Sequence, residues 1–377
     1  MLSAKDKILL FPYWLTLKVR HFLFDKKIKK SVSYSVGVIC IGNITVGGTG
    51  KTPTTELLLR ALSSESFVKK HGKIDLSVLS RGYKRKSKGF KLLNVGDDYK
   101  LVGDEPLQIK NKFPNVEVAV CENRRYGIEM LQKGIKEGEQ QMPNSTRKMI
   151  ILDDAFQHRQ VLASCSIVLM NYNRPIFNDH LLPLGRLRDL PEQIKRANVV
   201  IVTNSPIYYG ADEYVNSITE KEFLDKNQND WRKNLGLSDS QKLYFAATSY
   251  CNTKPVFSSL ADPRYVYAKS AAYFSGIAND RNFRDHITDI YKLKDSISFT
   301  DHCNFSKGDI DKISKMAKKY PLSILLTTEK DSVRLSNNKF LSNEIKKRLF
   351  YVPIELRIVG EDKLDDLCQD LLKSYSK

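Results

Sequence analysis

Short apolar runs alternate with segments of helical or loop character through the first part of the chain. The runs include "YSVGVICIG", "LSVLSRGY", "VEVAVCENRR", "KMIILDD", "SIVLMNYN" and "NVVIVTNSP". Continuous apolar strands separated by helices are typical of a parallel sheet that is covered on both faces. The pattern therefore predicts an α/β fold built on a parallel sheet.

A polar stretch, "DKNQNDWRKNLGLSDSQK", interrupts this alternation. Strand and helix patterns resume after it, in "AAYFSGIANDRNFRDHI" and "RLFYVPIELRI". We predict a larger α/β unit over residues 31–240 and a second, smaller α/β unit over residues 241–377.

The N-terminal segment, residues 1–30, joins an uncharged apolar run to a dense cluster of lysines and arginines. The run from Ile8 to Leu17 is too short to span a bilayer, which takes about 20 residues. The basic residues follow the apolar run, whereas a signal peptide places them first. An amphipathic helix at an anionic membrane surface is predicted, with Trp14, Leu17, Phe22 and Phe24 as its apolar side chains. A helix docked on the protein's own core is the alternative.

The formal net charge of +18 over 377 residues calls for an acidic partner, either nucleic acid or an anionic lipid surface. No recognised nucleic-acid-binding module accompanies the charge, so a membrane surface and an anionic substrate are favoured, without nucleic acid. The six cysteines are scattered and form no C-x-x-C pair. This spacing argues against a zinc site or a disulfide framework and favours the cytoplasm.

A glycine-rich stretch, "GNITVGGTGKTP", lies between a predicted strand and a predicted helix. Its end fits the phosphate loop G-x-x-x-x-G-K-[ST], although Thr45 occupies the position of the first glycine. Glycines let several backbone N–H groups approach phosphate oxygens, and the helix N-terminus adds positive potential. We predict a P-loop that binds the phosphates of ATP through Thr45, Val46, Gly47, Gly48, Thr49, Gly50, Lys51 and Thr52, with Lys51 also catalytic.

Two carboxylates, Asp153 and Asp154, follow the apolar run "KMIIL". Open α/β sheets bind their ligands at the carboxyl ends of the strands, where these side chains would emerge. A carboxylate there is suited to hold the magnesium of a nucleotide. Capping of the following helix is the alternative interpretation of the pair.

A series of motifs in a fixed order extends over nearly the whole chain: "GNITVGGTGKTP", "LSRGY", "GDEP", "VAVCENR", "LDDAFQH", "LLPLGRLRD", "FTDHCNF" and "LLTTEKDSVRL". In these motifs the sequence resembles the tetraacyldisaccharide 4'-kinase family, the lipid A 4'-kinases of Gram-negative envelope biosynthesis. Ala155 departs from the family pattern, which more often has glycine there, and no side-chain chemistry is lost.

The resemblance implies ATP- and Mg²⁺-dependent phosphorylation of the 4'-hydroxyl of a tetraacyldisaccharide 1-phosphate, with lipid IVA as the product. It also implies two P-loop-type α/β domains and an N-terminal helix at the cytoplasmic face of the inner membrane. No obligate protein partner is evident.

Roles for single residues follow from the same resemblance. Asp104 in "GDEP" matches the position of the general base, and His302 in "DHCNF" matches the histidine thought to act with it. Arg124 and Arg188 match basic positions that stabilise the transferring phosphate or grip the substrate's 1-phosphate.

The remaining assignments concern metal and substrate. Magnesium ligands are expected among Thr52, Glu105, Asp153 and Gln157. Substrate contacts are expected from Tyr83, Arg186 and Asp154.

Two other classes of protein are compatible with part of the pattern. A membrane-associated switch ATPase shares the glycine-rich loop, but its additional lysine would stand at Val46. A guanine-nucleotide switch needs a base-reading motif, and the nearest element, residues 328–331, has the wrong spacing. A nucleic-acid-binding protein with a vestigial nucleotide site is supported by charge alone.

Overall fold

The computed structural model describes residues 9–133, 147–207, 218–277 and 280–375. Its strands form one sheet of nine strands and one of five. The helices are α1 Phe11–Asp25, α2 Lys51–Leu62, α3 Glu65–His71, α4 Tyr99–Val102, α5 Asp104–Lys112, α6 Arg124–Lys133, α7 Glu220–Leu235, α8 Arg281–Ile290, α9 Lys307–Lys319, α10 Glu329–Leu335, α11 Asn343–Arg348 and α12 Lys363–Tyr375. The strands are β1 Gly37–Asn43, β2 Ile74–Ser80, β3 Lys91–Leu92, β4 Glu117–Val120, β5 Arg147–Leu152, β6 Cys165–Asn171, β7 Val199–Thr203, β8 Lys242–Tyr250, β9 Lys254–Pro255, β10 Ser270–Ser275, β11 Lys292–Ser298, β12 Ile324–Thr328, β13 Leu349–Val352 and β14 Ile354–Ile358.

The larger sheet has the strand order β14-β8-β7-β6-β1-β5-β2-β4-β3. Its central pairs are parallel, and the edge strands β14 and β3 run antiparallel to their neighbours. Every residue of β1 and of β7 is buried. Burial on both faces explains the continuous apolar runs, because helices cover both sides of a parallel sheet. The predicted α/β fold is thus confirmed.

The smaller sheet has the strand order β11-β10-β12-β13-β9, with β9 as its antiparallel edge. Apolar residues from β10, β12 and β13 fill the space under the flanking helices, with Phe274, Leu325 and Leu349 among them. This second α/β unit is built from residues 254–352.

The division of strands between the two sheets differs from the predicted boundary between residues 240 and 241. Strand β8 extends the larger sheet, and β14 returns from the smaller unit to pair with it. Helix α12 then packs against α2 and β1, and the Tyr244 hydroxyl donates to Asp370 Oδ2 at 2.7 Å. Periodicity predicts that a segment is a strand, but the choice of sheet depends on pairing between distant residues.

The N-terminal helix α1 lies against the larger unit. Leu17 is buried in its core, and Trp14 packs against the same cluster. These two residues face the protein, in contrast to the predicted arrangement in which they face a membrane. The outer side of α1 instead exposes an apolar stripe formed by Phe11, Leu15, Val19 and Phe22, which we call the α1 stripe. Within the ranges described, no helix combines the length and apolar character that a membrane crossing requires.

Candidate active site

The glycine-rich loop connects the end of β1 to the first residue of α2, Lys51. Gly47 has a φ of 103° and Gly50 a φ of 79°, a region that side chains with a Cβ rarely adopt. Thr45 forms an antiparallel bridge with Leu187. This regular pairing explains why threonine is tolerated where the usual motif has glycine.

Side chains around the loop fix its shape. Asn43 Nδ2 donates to Thr49 Oγ1 at 2.7 Å, and Thr203 Oγ1 donates to the Thr49 carbonyl at 3.1 Å. The amide of Val46 donates to the Arg186 carbonyl at 2.7 Å. The loop therefore precedes the N-terminus of α2 in a fixed conformation, which is the arrangement that binds phosphate through backbone N–H groups.

Asp153 directly follows β5 and is almost completely buried, with 2% of its surface exposed. Its Oδ2 accepts a hydrogen bond from Ser80 Oγ at 3.3 Å, whereas its Oδ1 has no partner in the protein. Burial raises the pKa of Asp153 to about 7, and the negative charges of Glu105 and Asp154 act in the same direction. A buried carboxylate oxygen without a partner is suited to a cation.

Asp154 adopts a left-handed φ of 48° and turns towards the loop. Its Oδ2 lies 3.9 Å from Lys51 Nζ and 3.3 Å from Arg188 Nη1. Burial raises the pKa of Asp154, but the hydrogen bond from Arg188 and the charge of Lys51 outweigh burial, so the pKa is lowered. The structure thus brings Lys51, Arg188 and Asp154 together at the mouth of the loop.

Two of the expected magnesium ligands already have a partner in the protein. Gln157 Nε2 donates to the Asn43 carbonyl at 2.8 Å, and Glu105 Oε1 accepts from Lys330 Nζ at 2.8 Å. Among the residues described, no three His, Cys, Asp or Glu side chains form a metal-binding group. Mg²⁺ usually takes one or two carboxylates together with substrate phosphates. Asp153 and the buried Thr52, at the start of α2, fit that pattern.

The arginine Arg124 is buried and donates to two backbone carbonyls, that of Cys121 at 2.9 Å and that of Asp153 at 3.0 Å. Burial lowers its pKa. These contacts hold the ends of β4 and β5 together, and the expected contact of Arg124 with phosphate stays a prediction.

Asp104 is the first residue of α5, after Gly103, whose φ is 95°. Its Oδ1 accepts from the Glu105 amide at 2.9 Å, and its Oδ2 lies 3.3 Å from His302 Nδ1. Arg334 donates to the same Oδ2 through Nε, at 2.9 Å, and through Nη2. Burial raises the pKa of Asp104, but the hydrogen bond from His302 and the charges of Lys330 and Arg334 outweigh it. The pKa therefore lies well below its usual value.

His302 has a left-handed φ of 60°, an uncommon conformation that is often found at functional sites. The exposed ring of Tyr83 meets the His302 ring edge to face, with 5.7 Å between centroids. Lys330 Nζ lies 3.4 Å from His302 Nε2. The structure thus places Tyr83 beside the predicted pair of Asp104 and His302.

Arg186 is exposed, and its Nη1 lies 3.2 Å from the position that a Cβ on Gly47 would take. It borders a cavity of about 430 Å³ beside the loop. The cavity is also lined by Asn173, Arg174, Asn178 and Asp179. Arg186 is therefore placed where it can meet a molecule bound to the loop.

Helix α1 forms one wall of this region. The Tyr13 hydroxyl donates to the Arg188 carbonyl at 3.0 Å, and Arg20 donates to the Gln157 carbonyl. His21 Nε2 lies 2.6 Å from Asp189 Oδ1 in a buried pair. The N-terminal helix therefore supports the backbone that carries Arg188 and Gln157.

Sequence reasoning missed three side chains at this site, Asn43, Lys330 and Arg334. All three lie in motifs that were recognised, but no role was assigned to them. Lys330 and Arg334 are four residues apart on α10, a spacing that places both side chains on one face of a helix. That spacing was the available signal.

A glycine-rich loop at the carboxyl end of a parallel sheet, beside a buried carboxylate pair, defines a nucleotide-binding α/β protein of the P-loop type. The family model described as "LpxK: Tetraacyldisaccharide-1-P 4'-kinase" matches residues 7–373. The chain belongs to this family.

Curated relatives agree with the family match. The tetraacyldisaccharide 4'-kinase of Bacteroides thetaiotaomicron is 38% identical over 359 residues, which cover 92% of this chain and 87% of that protein. The Flavobacterium johnsoniae protein of the same name is 35% identical over 364 residues, which cover 95% of each chain.

A solved structure supports the fold. The LpxK structure from Aquifex aeolicus, described as an "apo" form in complex with ATP, has a TM-score of 0.66 to this chain. The match covers 99% of this chain and 100% of that one, at 23% identity.

Proposed function

We propose that this protein is a tetraacyldisaccharide 4'-kinase of lipid A biosynthesis. It transfers the γ-phosphate of ATP to the 4'-hydroxyl of a tetraacyldisaccharide 1-phosphate and forms lipid IVA. The family match over residues 7–373 carries this proposal. The fixed phosphate loop beside Asp153 and Asp154 supports the nucleotide half of the reaction.

The loop and its neighbours bind the triphosphate. Backbone N–H groups of the loop from Gly47 to Thr52 hold the phosphates at the N-terminus of α2, whereas the Val46 amide donates to the Arg186 carbonyl. Lys51 and Arg188, which share Asp154 in this structure, neutralise charge on the phosphoryl group as it transfers. Asp153 and Thr52 would hold Mg²⁺, which would supply further charge neutralisation on the phosphate oxygens.

Asp104 accepts the proton of the 4'-hydroxyl as the new bond from oxygen to phosphorus forms and the bond to ADP breaks. The ionised carboxylate is available at neutral pH, because its pKa lies below its usual value. Its contribution as a base comes mainly from position. His302 orients the carboxylate through its contact at 3.3 Å.

The α1 stripe is the membrane contact in this proposal. Phe11, Leu15, Val19 and Phe22 are all exposed on one side of the helix. Basic residues adjoin this stripe, and the formal net charge of +18 favours a surface rich in anionic lipids. We place the protein at the cytoplasmic face of the inner membrane, where it meets both ATP and a lipid substrate.

The experiment that tests the reaction uses the full chain in detergent with γ-labelled ATP, Mg²⁺ and tetraacyldisaccharide 1-phosphate. Label at the 4'-position of the lipid is expected from the wild type, and none from Lys51→Ala. Labelled free phosphate without labelled lipid would instead indicate an ATPase.

The membrane contact is tested by sedimentation with vesicles of phosphatidylglycerol and phosphatidylethanolamine. Leu15→Asp combined with Val19→Asp is expected to leave most of the protein in the supernatant. Leu322→Asp, which changes an exposed leucine of the smaller unit, is the matched control and is expected to sediment like the wild type. Equal sedimentation of all three proteins would contradict the assignment of α1.

A further inference from the structure

Arg334 is the largest fully buried side chain in the part of the chain that the structure describes. Its Nε and Nη2 both donate to Asp104 Oδ2, and its Nη1 donates to Asp331 Oδ1 at 2.8 Å and to the Gly276 carbonyl at 3.2 Å. All three guanidinium nitrogens are therefore engaged. Such a planar fork allows little freedom of orientation.

The anchor on the far side of this arginine is itself fixed. Asp331 Oδ2 accepts from the Gly276 amide at 2.8 Å and from Thr328 Oγ1 at 2.7 Å. A Cβ on Gly276 would lie 3.1 Å from Asp331 Oδ1, so the backbone approaches the carboxylate closely at this point. Both the arginine and its support belong to the smaller unit.

Asp104 belongs to the other unit. It begins α5, which packs against β4 of the larger sheet, and it is 230 positions from Arg334 in sequence. The side chains that contact its Oδ2, Arg334 and His302, both come from the smaller unit. The position of the Asp104 carboxylate thus depends on the position of the smaller unit relative to the larger one.

The two oxygens of Asp104 are used unequally. Oδ2 receives two N–H groups of Arg334 and contacts His302, whereas Oδ1 receives the Glu105 amide at 2.9 Å. A carboxylate oxygen can accept about two hydrogen bonds. Oδ1 therefore keeps acceptor capacity, and Oδ2 does not.

We propose that Arg334 is a positioning residue that locks Oδ2 of Asp104 and thereby presents Oδ1 to the acceptor hydroxyl. The inference rests on the proposed kinase function and adds to it which oxygen takes the proton. It also implies that phosphoryl transfer requires the smaller unit to be correctly packed against the larger one.

The test compares Arg334→Gln, Asp104→Asn and the double variant, as full-length proteins with saturating Mg²⁺ and both substrates. A misplacement of about 1 Å can cost about 100-fold in rate. Arg334→Gln is therefore expected to lower kcat by about 100-fold while KM for ATP stays within about threefold. In the Asp104→Asn background the same change is expected to alter kcat by less than about threefold, because the residue acts through Asp104.

Arg348→Gln is the matched control, because Arg348 is also buried in the smaller unit and donates to the Pro321 and Tyr320 carbonyls. It is expected to leave kcat unchanged. An equal loss from Arg334→Gln in the wild type and in the Asp104→Asn background would overturn the proposal. So would a kcat close to the wild-type value in Arg334→Gln.

Two milder variants decide the question if Arg334→Gln does not fold. Arg334→Lys keeps the charge but loses the fork, and Asp331→Asn keeps the arginine but weakens its anchor. Both are expected to lower kcat by about tenfold or more in the wild type, with KM for ATP little changed, and to lose this effect in the Asp104→Asn background. A wild-type kcat in both would overturn the proposal. Full lipid labelling by Asp104→Asn itself would instead refute Asp104 as the base, which is a separate outcome.

Discussion

The site contains two pairs of adjacent carboxylates, Asp104–Glu105 and Asp153–Asp154, and a comparison between them is instructive. Asp104 and Asp153 are both buried, with 8% and 2% of their surfaces exposed. Their pKa values nevertheless move in opposite directions, downwards for Asp104 and upwards for Asp153. Burial alone raises the pKa of a carboxyl group, so the difference must come from neighbouring charges and hydrogen bonds.

The neighbours differ because the two pairs contact different parts of the fold. Asp104 receives Arg334 and His302 from the smaller unit, and Lys330 adds positive charge. Asp153 has one unpartnered oxygen and lies within the fields of Glu105 and Asp154. The fold pairs Asp104 with an arginine, whereas it leaves Oδ1 of Asp153 without a partner and ready for a cation that arrives with the nucleotide.

The strongest test of this comparison is Asp104→Asn, which keeps the shape of the side chain but removes its capacity as a base. We expect kcat to fall by about 10² to 10⁴, the usual range for a general base, with KM for ATP little changed. Steady-state kinetics with labelled ATP measure both quantities. An unchanged kcat would remove Asp104 as the base.

The second test is Asp153→Asn, which removes charge from the carboxylate whose Oδ1 has no partner in the protein. Mg²⁺ with ATP should raise the unfolding temperature of the wild type by mass action, and this increase should largely disappear in the variant. We expect kcat to fall by at least about tenfold at a fixed, low Mg²⁺ concentration, with partial recovery at high Mg²⁺. Glu122→Gln, which changes a carboxylate bound to Arg85, is the control. A wild-type Mg²⁺ response in Asp153→Asn would exclude Asp153 as the ligand.

The third test is the pH dependence of stability in metal-free protein. The pKa of Asp153 is raised on folding, so its effect destabilises the native state as pH rises from about 4 to about 7. The pKa of Asp104 is lowered, so its stabilising effect is present above the usual value near 4 and is lost below it. Urea unfolding at several pH values should show that the wild type loses stability as pH rises towards neutral. Asp153→Asn should remove this loss of stability. Asp104→Asn should instead remove part of the loss of stability that occurs as pH falls below about 4.

The smallest effect is expected from Lys330→Met. This change removes the ion-pair partner of Glu105, the residue that follows Asp104. Both side chains are partly exposed, at 22% and 29%, and such pairs contribute at most about 1 kcal/mol. We expect a change of less than about 1 kcal/mol in the free energy of unfolding and of less than about fivefold in kcat. A larger loss of kcat would mean that Lys330 contacts a reacting group.

The local features of this site could be predicted from sequence. The positions of Gly47, Gly50 and Lys51 require only a strand, a turn and a helix, each encoded within a few residues. Asp153 after β5 follows in the same way. Family resemblance added Asp104 and His302.

The features that could not be predicted depend on contacts between distant parts of the chain. The pairing of Arg334 with Asp104 spans 230 positions, and the spacing of Lys330 and Arg334 on α10 does not show which distant residue they meet. The pairing of β14 with the larger sheet could not be predicted either, because the apolar pattern of this strand fits both sheets. The sequence indicated that one side of α1 is exposed. It did not show that Trp14 and Leu17 face the protein, because that depends on the core against which they pack.

The contacts of α1 with the site have a consequence for the reach of the enzyme. The helix has the α1 stripe on one side, and on the other it donates to the carbonyls of Arg188 and Gln157. An α-helix with its side chains is about 10–12 Å across. In the proposed membrane contact, the phosphate site would lie about one helix diameter above the lipid surface. A disaccharide headgroup would then reach the site while its acyl chains stay in the bilayer.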